Sequence, residues 1–263
     1  FEIEIHIIDN NSKDHTVNKI TSFFESNNRA YNLIKNEKNL GFARGVNQGI
    51  KASSGNFIMI MNPDVFIING FFDKITLPFK KHSDLGAAAP QHLNKDNKII
   101  PSCRRLPDRL TVLWEIFLLS RIFKKSRIFN KWKMPDFDHE TELLNCQPMG
   151  SCMFFPRSTM EKTGYMDERF FLFFNDVDYC RRILDAGKKI LFYPDAKIIH
   201  YKGHSIYKNR VKSIFYSHLG FYRYINKYSK NIFEKFLNLP IFLLLSLSGL
   251  LRIILLLPKE IKK

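Results

Sequence analysis

From Glu2 to Ile8, charged or polar residues alternate with isoleucine, and the run turns apolar just before Asp9. That period of two predicts a strand running into a buried sheet. Asp9-Asn10-Asn11-Ser12 is turn chemistry, and Asp14 is placed to cap a helix reaching about Ser26. Tyr31 to Ile34 predicts a second strand, Asn39-Leu40-Gly41-Phe42 a loop, and Ala43 to Ala52 a helix ending at Ser53-Ser54-Gly55. Phe57 to Met61 is an unbroken apolar strand that stops at Asn62-Pro63-Asp64. Strands alternating with helices at this spacing predict an α/β sheet with parallel neighbours.

From Leu85 to Ser102 the pattern becomes short extended pieces with polar turns. Leu106 to Phe129 predicts a helix apolar on one side, and Asn130 to Asn145 a polar loop. Gln147 to Phe155 predicts a strand, Asp176 to Ala186 a helix closed by Gly187, and Lys189 to Tyr193 and Lys197 to His200 the last strands. Phe236 to Leu257 is nearly all apolar. It reaches the roughly 20 residues a bilayer span needs, but Pro240 and Arg252 interrupt it. A helix lying in the membrane interface between basic flanks fits better, with an apolar helix packed on the domain as the plain alternative.

Composition narrows the class. The 263 residues, 45% hydrophobic and 25% charged, suit one large folded domain with or without an appendage. The net charge of +16 is uneven. From Tyr201 onward only Glu234 and Glu260 oppose a long series of lysines and arginines. A second run, Arg121, Lys124, Lys125, Arg127, Lys131 and Lys133, contains no acid. Such patches attract polyanions such as anionic lipid headgroups or phosphorylated substrates, or serve only as solvated faces. Carboxylates at strand ends would repel a phosphate backbone, so no nucleic-acid partner is expected. Cys103, Cys146, Cys152 and Cys180 show no zinc spacing and read as reduced thiols in a cytosolic setting. The opening Phe-Glu-Ile-Glu-Ile carries no secretory signal.

In an open α/β sheet, ligands bind beyond the carboxyl ends of the strands, which is where Asp9 and Asp64 fall. For Asp9 alone, capping a turn is the simpler role. Asp64 suits a hard cation such as Mg²⁺ or Mn²⁺, which takes one or two carboxylates plus phosphate oxygens and water, and Pro63 stiffens its turn. The glycines and Arg44 in the 39–49 segment stand at a helix amino end, where backbone N–H groups favour anions. The run from Asp167 to Phe174 leads through Asn175 to Asp176 and Asp178 at a helix start. A carboxylate beside apolar rings can have its pKa raised, which suits a general base; the alternative is dipole stabilisation of the helix. His200 and His204, after a strand, are candidates for a metal ligand and a substrate or phosphate donor.

Taken in order, several motifs resemble those of glycosyltransferase family 2, in its rhamnosyltransferase-like branch. They are Asp9 to Thr16, Asn39-Leu40-Gly41-Phe42 with Asn47, Asn62-Pro63-Asp64-Val65, Gly150-Ser151, Gly164 to Phe171, Asn175-Asp176-Val177-Asp178 and His200 to Ser205. Pro101 to Arg105 with Pro107 carries the same likeness. The resemblance implies a GT-A fold over residues 1–205, with a mixed, mostly parallel central sheet flanked by helices. Residues 206–263 are then a helical, basic and apolar, membrane-associating segment. It implies an inverting enzyme using a nucleotide-diphosphate sugar, dTDP- or UDP-linked, and a divalent metal. Asp176 matches the base. Asp9, Asn11, Asn39, Gly41, Asn47, Asn62 and Asp64 fall on the donor side, Asn175 and Asp178 on the acceptor side, and Asp64 and His200 at the metal. The expected acceptor is a saccharide or lipid-linked saccharide of surface polysaccharide synthesis, at the cytoplasmic face of the cell membrane. Two departures are visible. Asn175 stands where the family has Glu, and the family's first strand and helix are not in the sequence, which together with Phe1 is expected to reflect truncation. A sugar-nucleotide nucleotidyltransferase and an inactive basic membrane-binding module are the alternatives.

Overall fold

The computed structural model describes residues 2–201 and 210–256. Strands β1 (His6–Asp9) and β2 (Asn32–Lys35) pair in parallel, joined by helix α1 (Thr16–Ser26). Parallel neighbours need a crossover of this kind. Helix α2 (Phe42–Ala52) then leads to β3 (Phe57–Met61), the first strand of the main sheet.

That sheet runs β3-β10-β5-β11-β4, where β4 is Val65–Ile67, β5 is Leu85–Leu93, β10 is Cys152–Pro156 and β11 is Lys189–His200. Short strands β6 (Ile99–Ile100) and β8 (Leu143–Leu144) extend it beside β5 and β11. A separate ribbon pairs β7 (Cys103–Arg104) with β9 (Gln147–Pro148). Among its described strands only the β5–β11 pair of the main sheet is parallel, so the expectation of a mostly parallel sheet is corrected. The order explains this. β10 inserts between β3 and β5 and runs against both, and β4 runs back along β11 after the sharp turn at Asn62-Pro63-Asp64.

Strand alternation divides the core in two. Ala87, Met153, Phe155 and Ile190 face α2 and α7 (Asn175–Asp185), where Tyr179 and Ile183 are buried. Ala88, Phe154, Leu191 and Ile198 face α3 (Phe71–Lys81), whose Phe71 and Ile75 fill the opposite layer. All nine residues of β5 are buried, as its central place requires. A third cluster joins Val112 of α4 (Arg109–Ile116) and Trp132 to Phe174 and Val177. It continues into Phe221 and Tyr224 of α8 (Arg210–Lys227) and Ile241 and Leu245 of α9 (Ile232–Ile254).

Several boundaries differ from the sequence pattern. The predicted 106–129 helix breaks at Leu118, which takes φ 60°, into α4 and the short α5 (Leu119–Ile122). The two last predicted strands are one, with a bulge between Tyr193 and Lys197. The Gln147–Phe155 strand divides at Met149-Gly150-Ser151. Pro240 is accommodated within α9. α6 (Arg157–Thr163) closes the connection from β10 toward α7.

Candidate active site

β3 ends at Met61, and the next residues turn sharply. The Asn62 N–H donates to the Ser151 carbonyl at 2.9 Å, and the Val65 N–H donates to the Asn62 carbonyl at 3.2 Å. β4 then pairs with β11 so that Val65 lies opposite His200. This register brings Asp64 Oδ1 to 3.4 Å from His200 Nε2, and the Tyr201 N–H donates to the Asp64 carbonyl at 2.9 Å. Asp64 stays partly open while His200 is buried. No group of three or more His, Cys, Asp or Glu side chains converges among the described residues. The Asp64–His200 pair nevertheless has the donor chemistry for a divalent cation completed by phosphate and water. His204 and Ser205 lie outside the described residues.

The end of β1 and the loop before α2 form a second group, held together by its own hydrogen bonds. Asp9 is buried, and its carboxylate accepts from the Ser12 N–H at 3.2 Å, so it caps the turn. Asn11 takes φ 66° and donates to the Glu37 carbonyl. Asn10 donates to the Gly41 carbonyl at 3.2 Å, and Asn39 Oδ1 accepts from the Gly41 N–H at 2.9 Å. Gly41 has φ +87°, and a Cβ there would sit 2.6 Å from the Phe171 ring and 2.7 Å from its carbonyl. Only glycine fits. Asn47 is buried and its amide is spent on the 164–171 segment: it donates to the Met166 carbonyl and accepts from the Met166 N–H, both at 2.9 Å. Its amide also donates to Glu168, which pairs with Arg44 at 2.7 Å; these two contacts, Asn47 first, hold the Glu168 pKa down. Asn47 therefore clamps α2 to the 164–171 segment.

The aromatic run packs Phe174 into the third core cluster in a left-handed conformation, and α7 begins at Asn175. Asn175 is buried, donates to the Leu172 carbonyl and accepts from the Asp176 N–H at 2.8 Å. It sets the backbone of the next residue. Asp176 Oδ2 accepts from the Gly150 N–H and Oδ1 from the Val177 N–H, both at 2.9 Å. Desolvation raises its pKa, against the lowering effect of the Gly150 hydrogen bond and the Arg104 charge. A Cβ on Gly150 would lie 2.9 Å from the Asp176 Cβ, so this glycine permits the approach. The adjoining Ser151 carbonyl holds the Asn62 N–H. One dipeptide thus ties the Asp64 turn to the Asp176 carboxylate.

Asp178 faces elsewhere. It is fully buried and paired with Arg182 at 3.0 Å and Lys227 at 2.6 Å, with the Tyr228 hydroxyl donating at 2.8 Å. Lys227 also reaches Asp167 at 2.8 Å, so these groups bind α8 to α7. The geometry gives Asp178 a structural role and leaves no carboxylate oxygen facing an acceptor.

Arg104 lacks a site role in the pattern of the sequence. On β7 its guanidinium lies 4.5 Å above the Trp132 ring, and its charge acts on Asp176 and Glu115. Burial pushes its pKa down. The available signal is the family likeness of Pro101 to Arg105, but nothing local to it indicates the distant Asp176.

The sequence profile of "Glycosyl transferase family 2" matches residues 1–147. An N-acetylglucosaminyl-diphospho-decaprenol L-rhamnosyltransferase of Mycobacterium tuberculosis is 23% identical over 214 residues, covering 77% of this chain and 68% of that protein. Among solved structures, GalNAc-T7 with UDP, GalNAc and Mn²⁺ superposes with a TM-score of 0.54 at 16% identity, over 85% of this chain and 44% of that one. The mannosyltransferase PcManGT of Pyrobaculum calidifontis, in complex with GDP-Man and Mn²⁺, also gives 0.54 at 13% identity, over 93% and 64%. The chain thus spans less than two thirds of the length of either solved structure. The fold shared with these proteins is GT-A, a mixed sheet flanked by helices. With the profile matched over more than half of its length, the chain belongs to glycosyl transferase family 2.

Proposed function

We propose that the chain is an inverting transferase that moves a sugar, a deoxyhexose such as rhamnose, from a dTDP- or UDP-linked donor to a saccharide carried on a lipid diphosphate. The observation that carries this reading is the Gly150-Ser151 dipeptide, which holds the strand-end Asp64 turn and the Asp176 carboxylate side by side. Asp176 accepts the proton of the acceptor hydroxyl while that oxygen bonds to the anomeric carbon. The bond from that carbon to the donor diphosphate breaks on the opposite face, and the nucleoside diphosphate leaves. Asp64 and His200 would hold a divalent cation, Mg²⁺ or Mn²⁺, whose chemistry when bound is to neutralise charge on the leaving diphosphate. The walls around Asp9, Asn11, Asn39, Gly41 and Asn62 flank the nucleotide. Asn175 fixes the backbone of the base.

The lipid-diphosphate acceptor rests on the rhamnosyltransferase relative, and the cytoplasmic membrane surface on α9, which is long and apolar enough to cross a bilayer and only 22% buried over its most apolar window. A transfer assay with dTDP-rhamnose and a lipid-diphosphate-linked saccharide tests the reading. Asp64→Ala and Asp176→Asn should each cut transfer by about a hundred-fold or more, and transfer near the unmodified rate in either would overturn the assignment.

A further inference from the structure

α9 is apolar almost all round, and only a narrow stripe of it is covered. Asn238, Ile241, Leu245 and Gly249 are buried, at the three- and four-residue spacing of one helix face. Phe233, Phe236, Leu243 and Leu247 stand outward, each more than 60% exposed. A helix apolar on all sides belongs inside a protein or against lipid.

The helix does not stand alone. α4 lies along it, with Val112 packed in the same cluster as Ile241 and Leu245. Arg252 near the end of α9 donates to the Glu115 carbonyl at 2.8 Å, and Arg109 at the start of α4 donates to Asn238 at 2.9 Å and pairs with Glu234 at 3.1 Å. Beyond α4 the chain breaks at Leu118 and turns through α5, and there Phe117, Ile122, Phe123 and Ile128 are outward and largely exposed. The cations Arg121, Lys124, Lys125 and Arg127 are interleaved with them and equally exposed. Lys124 and Lys125 pair with no acid among the described residues.

We infer that the α4–α5 hairpin is a second membrane-docking element. Ile122, Phe123 and Ile128 enter the interface of an anionic bilayer beside α9, and Arg121, Lys124, Lys125 and Arg127 engage its headgroups. Charge complementarity selects this occupant: apolar side chains rimmed by cations, of which only Arg127 pairs with an acid among the described residues (Asp136 at 3.8 Å), match a negatively charged lipid surface. The hairpin is also joined to the candidate active site. Lys133 pairs with Glu115 at 2.6 Å, and Trp132 beside it lies under Arg104, whose charge acts on Asp176. A bilayer held by both elements would present a lipid-linked acceptor close to the base. The inference rests on the membrane-surface reading proposed above and adds the part of the chain that fixes its orientation.

The test uses the full chain with phosphatidylcholine vesicles, with and without phosphatidylglycerol, in a flotation assay. Binding should require phosphatidylglycerol and weaken with salt. The double variants I122E/F123E and K124E/K125E should each lose roughly ten-fold or more in partitioning. Thermal shift by dTDP and by UDP, each with Mn²⁺, is read on the same proteins. Its retention in the variants shows that they are folded and that the donor half is intact. Unchanged partitioning of both variants, equal binding to neutral vesicles, or a dimer that the variants dissociate would each overturn the docking role. Absence of the nucleotide shift in the unmodified chain would overturn the proposed function instead.

Discussion

Asp176 and Asp178 are separated by two positions on α7, about 200° around a helix, and this places them in different environments. Asp176 meets the Gly150 N–H, and Asp178 meets Arg182, Lys227 and Tyr228. Asp176→Asn should lower kcat by about 10²–10⁴-fold, the range of a lost general base. Because burial raises the Asp176 pKa, the acid limb of the kcat profile should lie above the ordinary carboxylate range. Arg104 lowers that pKa, so Arg104→Gln should move the limb to higher pH; an unmoved limb would separate Arg104 from the base. Gly150→Ala forces its new Cβ against Asp176, 2.9 Å from the Asp176 Cβ. A displacement of that kind costs about a hundred-fold in turnover, and nucleotide affinity should be preserved.

At the scale of elements, the contacts that shape the site are long-range. α2 is fixed to the 164–171 segment through Asn47, and α8 to α7 through Asp178. Removing one partner of a buried ion pair costs about 3–5 kcal/mol, so Asp178→Ala should destabilise the chain strongly in urea titration. A variant with normal stability and a raised acceptor KM would instead restore Asp178 to acceptor binding. The sequence pattern carries the local part of this. Periodicity marks α1, α2, β3 and α7 to within a residue or two, because each has a one-sided or unbroken apolar run. It does not mark α3, whose Phe71 and Ile75 are buried by a sheet assembled from distant strands. Nor does it mark the break at Leu118, where a non-glycine residue takes φ 60° within an otherwise helical apolar stretch. Strand-end carboxylates can be listed from sequence. The amide of Asn47 reads as a ligand group there because its partners at Met166 are remote in the chain.

For the whole molecule, strand order brings the chemistry together. β10 between β3 and β5 carries Gly150-Ser151 to the edge of the Asn62-Pro63-Asp64 turn, and β11 beside β4 delivers His200 to Asp64. The C-terminal helices pack on this body through the aromatic cluster around Phe174 and Phe221. Asp64 and His200 are proposed as the donor half of a transferase site whose other half is Asp176. Isothermal titration of UDP and dTDP, with and without Mn²⁺, tests this proposal most directly. Metal-dependent nucleotide binding is expected in the unmodified chain, with its loss in Asp64→Ala and its retention in Asp176→Asn. Binding indifferent to Mn²⁺, or undiminished in Asp64→Ala, would contradict it.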